Sequence, residues 1–177
     1  MPLTSQGSID ADGGVARIRL RTTVNGRPVD IEIEPRETLA EVLRERLHLT
    51  GVKIVCEVQV CGACTVLVDG LPVSGCTYLA YEARGREVLT IEGLAPGPDE
   101  LHPLQTAFIE KNAFQCGYCT PGMILAAKAL LDHAPAATEP EIVEHMDGNI
   151  CRCTGYRPIV EAIRHGQALL AEPAAEA

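Results

Sequence analysis

Two early stretches, "ARIRLRTTV" and "RPVDIEIE", alternate apolar and polar residues with the period of half-buried strands, and Asn25-Gly26 separates them. Asn-Gly favours the two-residue turn with both residues at positive φ, so the pattern predicts an antiparallel hairpin. With Val24 opposite Arg27, Leu20 faces Ile31 and Ile18 faces Ile33 on one side; Arg21 meets Asp30, Arg19 meets Glu32 and Arg17 meets Glu34 on the other. A slip of one residue would invert both faces, so this register is strongly specified. Thr38 and Glu41 then form a capping-box pair. Leu39, Val42, Leu43 and Leu47 follow on one face of a short helix expected to end near Gly51.

Further along, "TVLVDG" and "LPVSGC" predict a second hairpin turning at Asp69-Gly70, and "REVLTIEG" a last strand. A sheet gripping one helix accounts for residues 15–92, and the polar, Gly-rich residues 1–14 read as a flexible lead. Residues 93–102 are rich in Pro and Gly and mark a linker. From there to 172 the pattern is helical. Pro103 suits a first turn ahead of Leu104, Ala107 and Phe108, and Thr120-Pro121 opens "PGMILAAKALLDHA", apolar on nearly every side and therefore expected to be buried. Thr138 and Glu141 form another capping box, "PIVEAIRHGQALL" gives the final helix, and AEPAAEA reads as a loose tail. The fold class expected is α+β, a mixed half followed by an all-helical one.

Composition narrows the function. The chain is 46% hydrophobic but 3% aromatic, so Leu, Val, Ile and Ala must fill its core, and a net charge of −9 argues against nucleic-acid binding and a polybasic membrane anchor. No apolar run reaches the length of a membrane span, and the N-terminus lacks a secretory pattern and a twin-arginine pair. The expected compartment is the cytoplasm, where clustered thiols signify metal more often than disulfides.

The eight cysteines fall into two groups, C-x4-C-x2-C-x11-C (Cys56, Cys61, Cys64, Cys76) and C-x2-C-x31-C-x1-C (Cys116, Cys119, Cys151, Cys153). Three thiols in the first group match the plant-type [2Fe–2S] spacing. Gly62 and Ala63 keep that loop small enough for amides to approach sulfur. In the second group, Cys116 and Cys119 precede a helix start, whose amides favour thiolate charge. Spacing alone leaves the second group open between structural zinc and iron–sulfur. The histidines show no ligand spacing, and no phosphate loop or dinucleotide fingerprint is present. Two other readings are a zinc-stapled interaction protein and a free-standing soluble ferredoxin.

"CGACTVLVDG", "FQCGYCTPGMILAAKALL" and "GNICRCTGYRPIVEAI" resemble the small iron–sulfur subunit of the molybdenum hydroxylase family, over roughly residues 15–170. The resemblance implies a ferredoxin-like β-grasp domain (15–92) holding one [2Fe–2S] cluster on Cys56, Cys61, Cys64 and Cys76. A four-helix-bundle domain (103–172) would hold the other on Cys116, Cys119, Cys151 and Cys153. It further implies a large subunit carrying molybdenum on a molybdopterin dinucleotide and a medium subunit carrying FAD, in an αβγ or (αβγ)2 assembly. Gln115 and the Cys153 backbone would contact the pterin. Electrons would pass from molybdenum to the C-terminal cluster, then to the N-terminal cluster and FAD. The holoenzyme substrate would be an N-heteroaromatic compound, an aldehyde or carbon monoxide. Arg152 is a candidate tuner of potential. The chain departs from the family pattern at Gln59, where Gly is frequent; either the loop is less left-handed there or Gln59 is strained.

Overall fold

A computed structural model describes residues 16–171. The 1–14 lead and the tail beyond 171 lie outside the described residues. Strands β1 (Ile18–Val24) and β2 (Arg27–Ile33) pair antiparallel in the expected register, Leu20 opposite Ile31 and Val24 opposite Arg27. Asn25 (φ 51) and Gly26 (φ 72) make the turn. The charged face differs in detail. Arg17 and Glu34 lie beyond the paired register, and Glu34 takes Arg36 at 2.8 Å. Arg19 and Arg21 both reach Asp30, at 2.5 and 3.2 Å, because a shorter side chain flanked by two guanidiniums gains three charge-assisted bonds, two from Arg19 and one from Arg21.

Helix α1 (Leu39–Glu41) starts on the expected capping box: Thr38 N–H donates to Glu41 Oε2 at 2.8 Å, and Glu41 N–H donates to Thr38 Oγ1 at 3.3 Å. It then widens into a π-helical turn, Val42–Arg46, and ends at Leu47 instead of Gly51. The cause is at its C-terminus: His48 turns to φ 58, and Leu49 N–H folds back onto Leu43 C=O at 2.8 Å. Strands β3 (Thr65–Val68) and β4 (Leu71–Ser74) form the second hairpin, and β5 (Glu87–Leu89) follows. The rest of the expected last strand winds into a 3-10 turn, Ile91–Gly93. The five strands order as β2-β1-β5-β3-β4, with β5 parallel to β1 and antiparallel to β3. Leu39 and Leu43 bury against Val24, Val66, Val68 and Val88 on one face of this sheet.

Helices α2 (Pro103–Glu110), α3 (Thr120–His133), α4 (Glu139–Met146) and α5 (Arg157–Ala171) make up the second half. Their core joins Leu104 and Phe108 of α2 to Met123 of α3, Ile142 of α4 and Ile159 and Ile163 of α5. Each such fully buried side chain contributes about 1.5–3 kcal/mol. Helix α3 begins at Thr120, one residue earlier than expected, so Pro121 occupies the second position. All four residues of β3 are buried, because its second face meets α3: Leu67 packs on Leu125 and Ala129. The apolar run Val66–Val68 is what burial on both faces requires, and the buried Thr65 hydroxyl is satisfied by Gly62 C=O at 2.7 Å. The fold is α+β, and the two halves share this interface.

Candidate metal centres

The loop 56–64 leaves α1 and returns into β3, and it reaches its turns through left-handed residues: Glu57 (φ 56), Gln59 (φ 59) and Gly62 (φ 66). Gln59 is thus strained by about 1 kcal/mol. It is also exposed, and its Oε1 accepts the Thr77 hydroxyl at 3.2 Å, beside Cys76. Gly62 tolerates no side chain, since a Cβ there would stand 2.5 Å from Asn149 Nδ2 and from Gly148 C=O. The fourth cysteine of the group, Cys76, follows β4, and the β3–β4 hairpin brings it back to Cys64.

None of the eight cysteines is in a disulfide. They meet in four pairs. Cys56 contacts Cys61, and Cys64 contacts Cys76; Cys61 lies near Cys64, joining the two pairs into one group. Cys116 and Cys153 stand 3.6 Å apart, Cys119 contacts Cys151, and these pairs adjoin through Cys116–Cys119 and Cys151–Cys153. Among the described residues no three His, Cys, Asp or Glu side chains converge as a single-ion site needs. The 3.6 Å between the Cys116 and Cys153 sulfurs is close to the edge of a metal tetrahedron with metal–sulfur bonds near 2.3 Å, about 3.7 Å. Two thiolates per metal, twice in each group, fit a two-iron unit whose remaining positions are bridging sulfides.

The electrostatics suit an anionic sulfur-rich group. The Cys56 thiol is pushed down to about 6 by backbone N–H groups of Val58, Val60 and Cys61, the Val60 donor lying 3.4 Å from Sγ. Burial pushes Cys64 up to about 12, and burial with the Cys151 contact does the same to Cys119. Those two thiols therefore stay protonated until a metal replaces the proton. For Cys151 burial is the largest single influence and acts upward, yet hydrogen bonds from Thr154 and Cys153 outweigh it and hold the thiol below its ordinary value. Cys153 is raised, chiefly by its hydrogen bond with Cys116. Thr120 Oγ1, one residue after Cys119 in the first turn of α3, is buried with no hydrogen-bond partner among the described residues.

The two cysteine groups adjoin. Ile150 N–H donates to Cys61 C=O at 2.9 Å, one residue before Cys151. Asn149 Nδ2 donates to Gly62 C=O at 3.0 Å, and Lys53 lies 5.6 Å from the Tyr118 ring centroid. Gly122, in the first turn of α3, touches the same loop; a Cβ on it would lie 2.4 Å from Gly62 C=O. Gln115 and Cys153 also come together: Gln115 Nε2 donates to Cys153 C=O at 3.1 Å on the exposed rim of the second group. Arg152 is exposed. Sequence reasoning missed Asn149, Gly122, Thr77 and Thr154; Asn149 and Thr154 stand inside "GNICRCTGY" and Gly122 inside "CGYCTPGM", beside the cysteines, whereas Thr77 had no signal beyond following Cys76.

The fold and paired thiols define a protein built for two [2Fe–2S] groups, and family models agree. Residues 22–90 match the 2Fe-2S iron-sulfur cluster binding domain, and residues 90–164 match the [2Fe-2S] binding domain. The chain is 47% identical over 147 residues to the nicotine 6-hydroxylase small subunit of Paenarthrobacter nicotinovorans, covering 83% of this chain and 88% of that one. It is 48% identical over 150 residues to the nicotinate dehydrogenase small FeS subunit of Eubacterium barkeri, covering 84% and 94%. The structure of quinoline 2-oxidoreductase from Pseudomonas putida 86 superposes with a TM-score of 0.83 at 45% identity, covering 86% of this chain and 94% of that one. The chain belongs to the small iron–sulfur subunits of the molybdenum hydroxylase family. It is an electron-transfer subunit of an oxidoreductase, and such subunits work with partner subunits.

Proposed function

We propose that this chain passes electrons singly between a molybdopterin site on a large subunit and FAD on a medium subunit. Cys56, Cys61, Cys64 and Cys76 hold one [2Fe–2S] group, and Cys116, Cys119, Cys151 and Cys153 hold the other. When bound, each group supplies one reversible one-electron couple. The observation that carries the reading is the assembly of eight thiols into four sulfur pairs in two groups, joined by the Ile150–Cys61 hydrogen bond.

The chain's own residues do three things. The pairs fix which thiolates share an iron. The amides of Val60, Cys153 and Thr154 aim at sulfur and stabilise its negative charge. The packing of Gly122 and Asn149 on the 61–63 loop holds the two groups at a constant separation. We assign 15–92 as a β-grasp domain, 93–102 as a linker and 103–172 as a four-helix bundle; α1 lying across the five-stranded sheet, and α2 to α5 sharing one core, support this. The exposed rim of Cys116, Cys153 and Gln115 faces the pterin in this reading, and the 56–64 loop faces the flavin subunit. The assembly is αβγ or its dimer, in the cytoplasm; among the described residues no helix is long and apolar enough to cross a membrane. Of the three substrate classes, the nicotine, nicotinate and quinoline relatives favour N-heteroaromatic compounds.

The test is Cys61→Ser in the enzyme purified with its partner subunits. It should abolish the EPR signal of one [2Fe–2S] group, retain the other, halve the iron and acid-labile sulfide of this subunit from about four each, and uncouple flavin reduction from substrate oxidation. Retention of both signals with full turnover would remove Cys61 from the ligand set, and a colourless zinc-containing protein would end the iron–sulfur reading.

A further inference from the structure

Three donors converge on one sulfur. Cys153 N–H, Thr154 N–H and the Thr154 hydroxyl reach Cys151 Sγ at 3.5, 3.4 and 3.2 Å. Cys151 is buried, so water does not compete strongly for that sulfur. The hydroxyl is distinct from the two amides because its direction is set by its neighbours. A threonine hydroxyl has one proton. Tyr156 N–H donates to Thr154 Oγ1 at 3.2 Å, which occupies the oxygen as an acceptor and leaves its proton for Cys151 Sγ. Tyr156 is held in place for this at φ 68, a left-handed conformation that a bulky residue adopts at a cost, and its phenol oxygen accepts Cys151 N–H at 3.1 Å. The loop 151–156 thus closes on itself, from Cys151 N–H to Tyr156 and from Tyr156 N–H through Thr154 back to Cys151 Sγ. Successive hydrogen bonds of this kind strengthen one another.

We infer that Thr154 is a positioning residue that sets the reduction potential of the C-terminal [2Fe–2S] group through the oriented O–H···Sγ bond to Cys151. The inference rests on Cys151 being a ligand, as proposed above. A reduced cluster carries one more negative charge than an oxidised one, and part of that charge falls on the ligand sulfurs. A donor aimed at such a sulfur therefore favours the reduced state. Removing it shifts the couple towards the oxidised form. The amides of Cys153 and Thr154 remain in any side-chain variant, so the effect is that of one bond among three.

The experiment is EPR-monitored redox titration of the holoenzyme as wild type, Thr154→Val, Thr154→Ala and Thr154→Ser. Two resolved [2Fe–2S] signals in the wild type test the two-cluster reading, and loss of the C-terminal signal in Cys151→Ala tests Cys151 as a ligand, both independently of Thr154. In the Val and Ala variants the reduced-to-oxidised ratio of the C-terminal group at a fixed potential should fall about tenfold, equivalent to a midpoint lower by about 59 mV for one electron. The Ser variant should stay near wild type, and the N-terminal group should not move in any of them. An unchanged midpoint in both Val and Ala would overturn the inference, as would a parallel shift of both groups. Loss of the C-terminal signal from both would overturn it too, because the hydroxyl would then be retaining the loop and not setting the potential.

Discussion

Gly122→Ala tests whether the contact between α3 and the 61–63 loop is as tight as it looks. Considered locally, the change should help, since Ala is preferred to Gly in helices by about 0.8–1.0 kcal/mol. The tertiary contact opposes it. The new methyl would stand 2.4 Å from Gly62 C=O, 3.2 Å from Ala63 C=O and 3.3 Å from Ala63 C, so the nearest approach is about 1 Å short of ordinary contact. All three atoms are backbone, and the loop that carries them is pinned by Asn149 and by the Ile150–Cys61 bond. Overpacking of this kind costs about 1–3 kcal/mol, and stretching the Ile150–Cys61 bond adds about 0.5–1.5 kcal/mol. The balance is a destabilisation of about 2 kcal/mol, or a Tm lower by roughly 4–8 °C for a chain of this size. Thermal unfolding of the cluster-loaded complex measures it. The magnetic interaction between the two reduced groups should also weaken as the halves are wedged apart. Gly148→Ala is the control: its Cβ meets nothing within 4 Å, and the change should stay within about 0.5 kcal/mol. A Gly122→Ala protein that melts at or above the wild-type temperature, with the magnetic interaction intact, would refute the argument.

Two further outcomes are expected. His102 caps α2 by accepting Leu104 N–H on Nδ1 at 3.2 Å, and burial first, then the charge of Lys128, lower its pKa below the usual imidazole value against the opposing pull of Asp132. The unfolded chain thus binds the proton more tightly, so stability should fall as pH drops from the unfolded His value of about 6.5 through the lower folded one; urea titrations from pH 7.5 to 5 should show this slope, and His102→Asn, which caps without titrating, should flatten it. Phe108→Ala should cost about 3–5 kcal/mol, read as a lower urea midpoint, because Phe108 is 1% exposed between α2 and the other helices.

Much of the architecture could be read from local pattern. The first hairpin was specified twice, by period-two alternation and by Asn25-Gly26, and its backbone register follows. Both threonine capping boxes form, because their partners lie three residues apart and need no tertiary help. Propensity could not foresee the π turn after Glu41, which depends on a reversal at His48 and a bond from Leu49 back to Leu43. Cysteine spacing outlined two groups, but it carries no information on which thiol faces which. The pairing Cys56–Cys61 and Cys64–Cys76 emerges from the path of the loop and the β3–β4 hairpin. The seam between the halves was hidden for the same reason: Asn149 meets Gly62 across 87 residues of chain. At Gln59 the structure resolves the choice left open by the sequence: the loop is left-handed there, and Thr77 secures the side chain.

The stretch Pro98–Leu101 is exposed, whereas elsewhere Leu67, Leu125 and Ala129 interlock the two halves and Ile150 bridges to Cys61. Covalent continuity at that point therefore contributes little to keeping the two halves together. A protease nick there should leave a non-covalent heterodimer of fragments that comigrate on a sizing column, and the same cut offers a place to split the gene and let two separately made pieces reassemble.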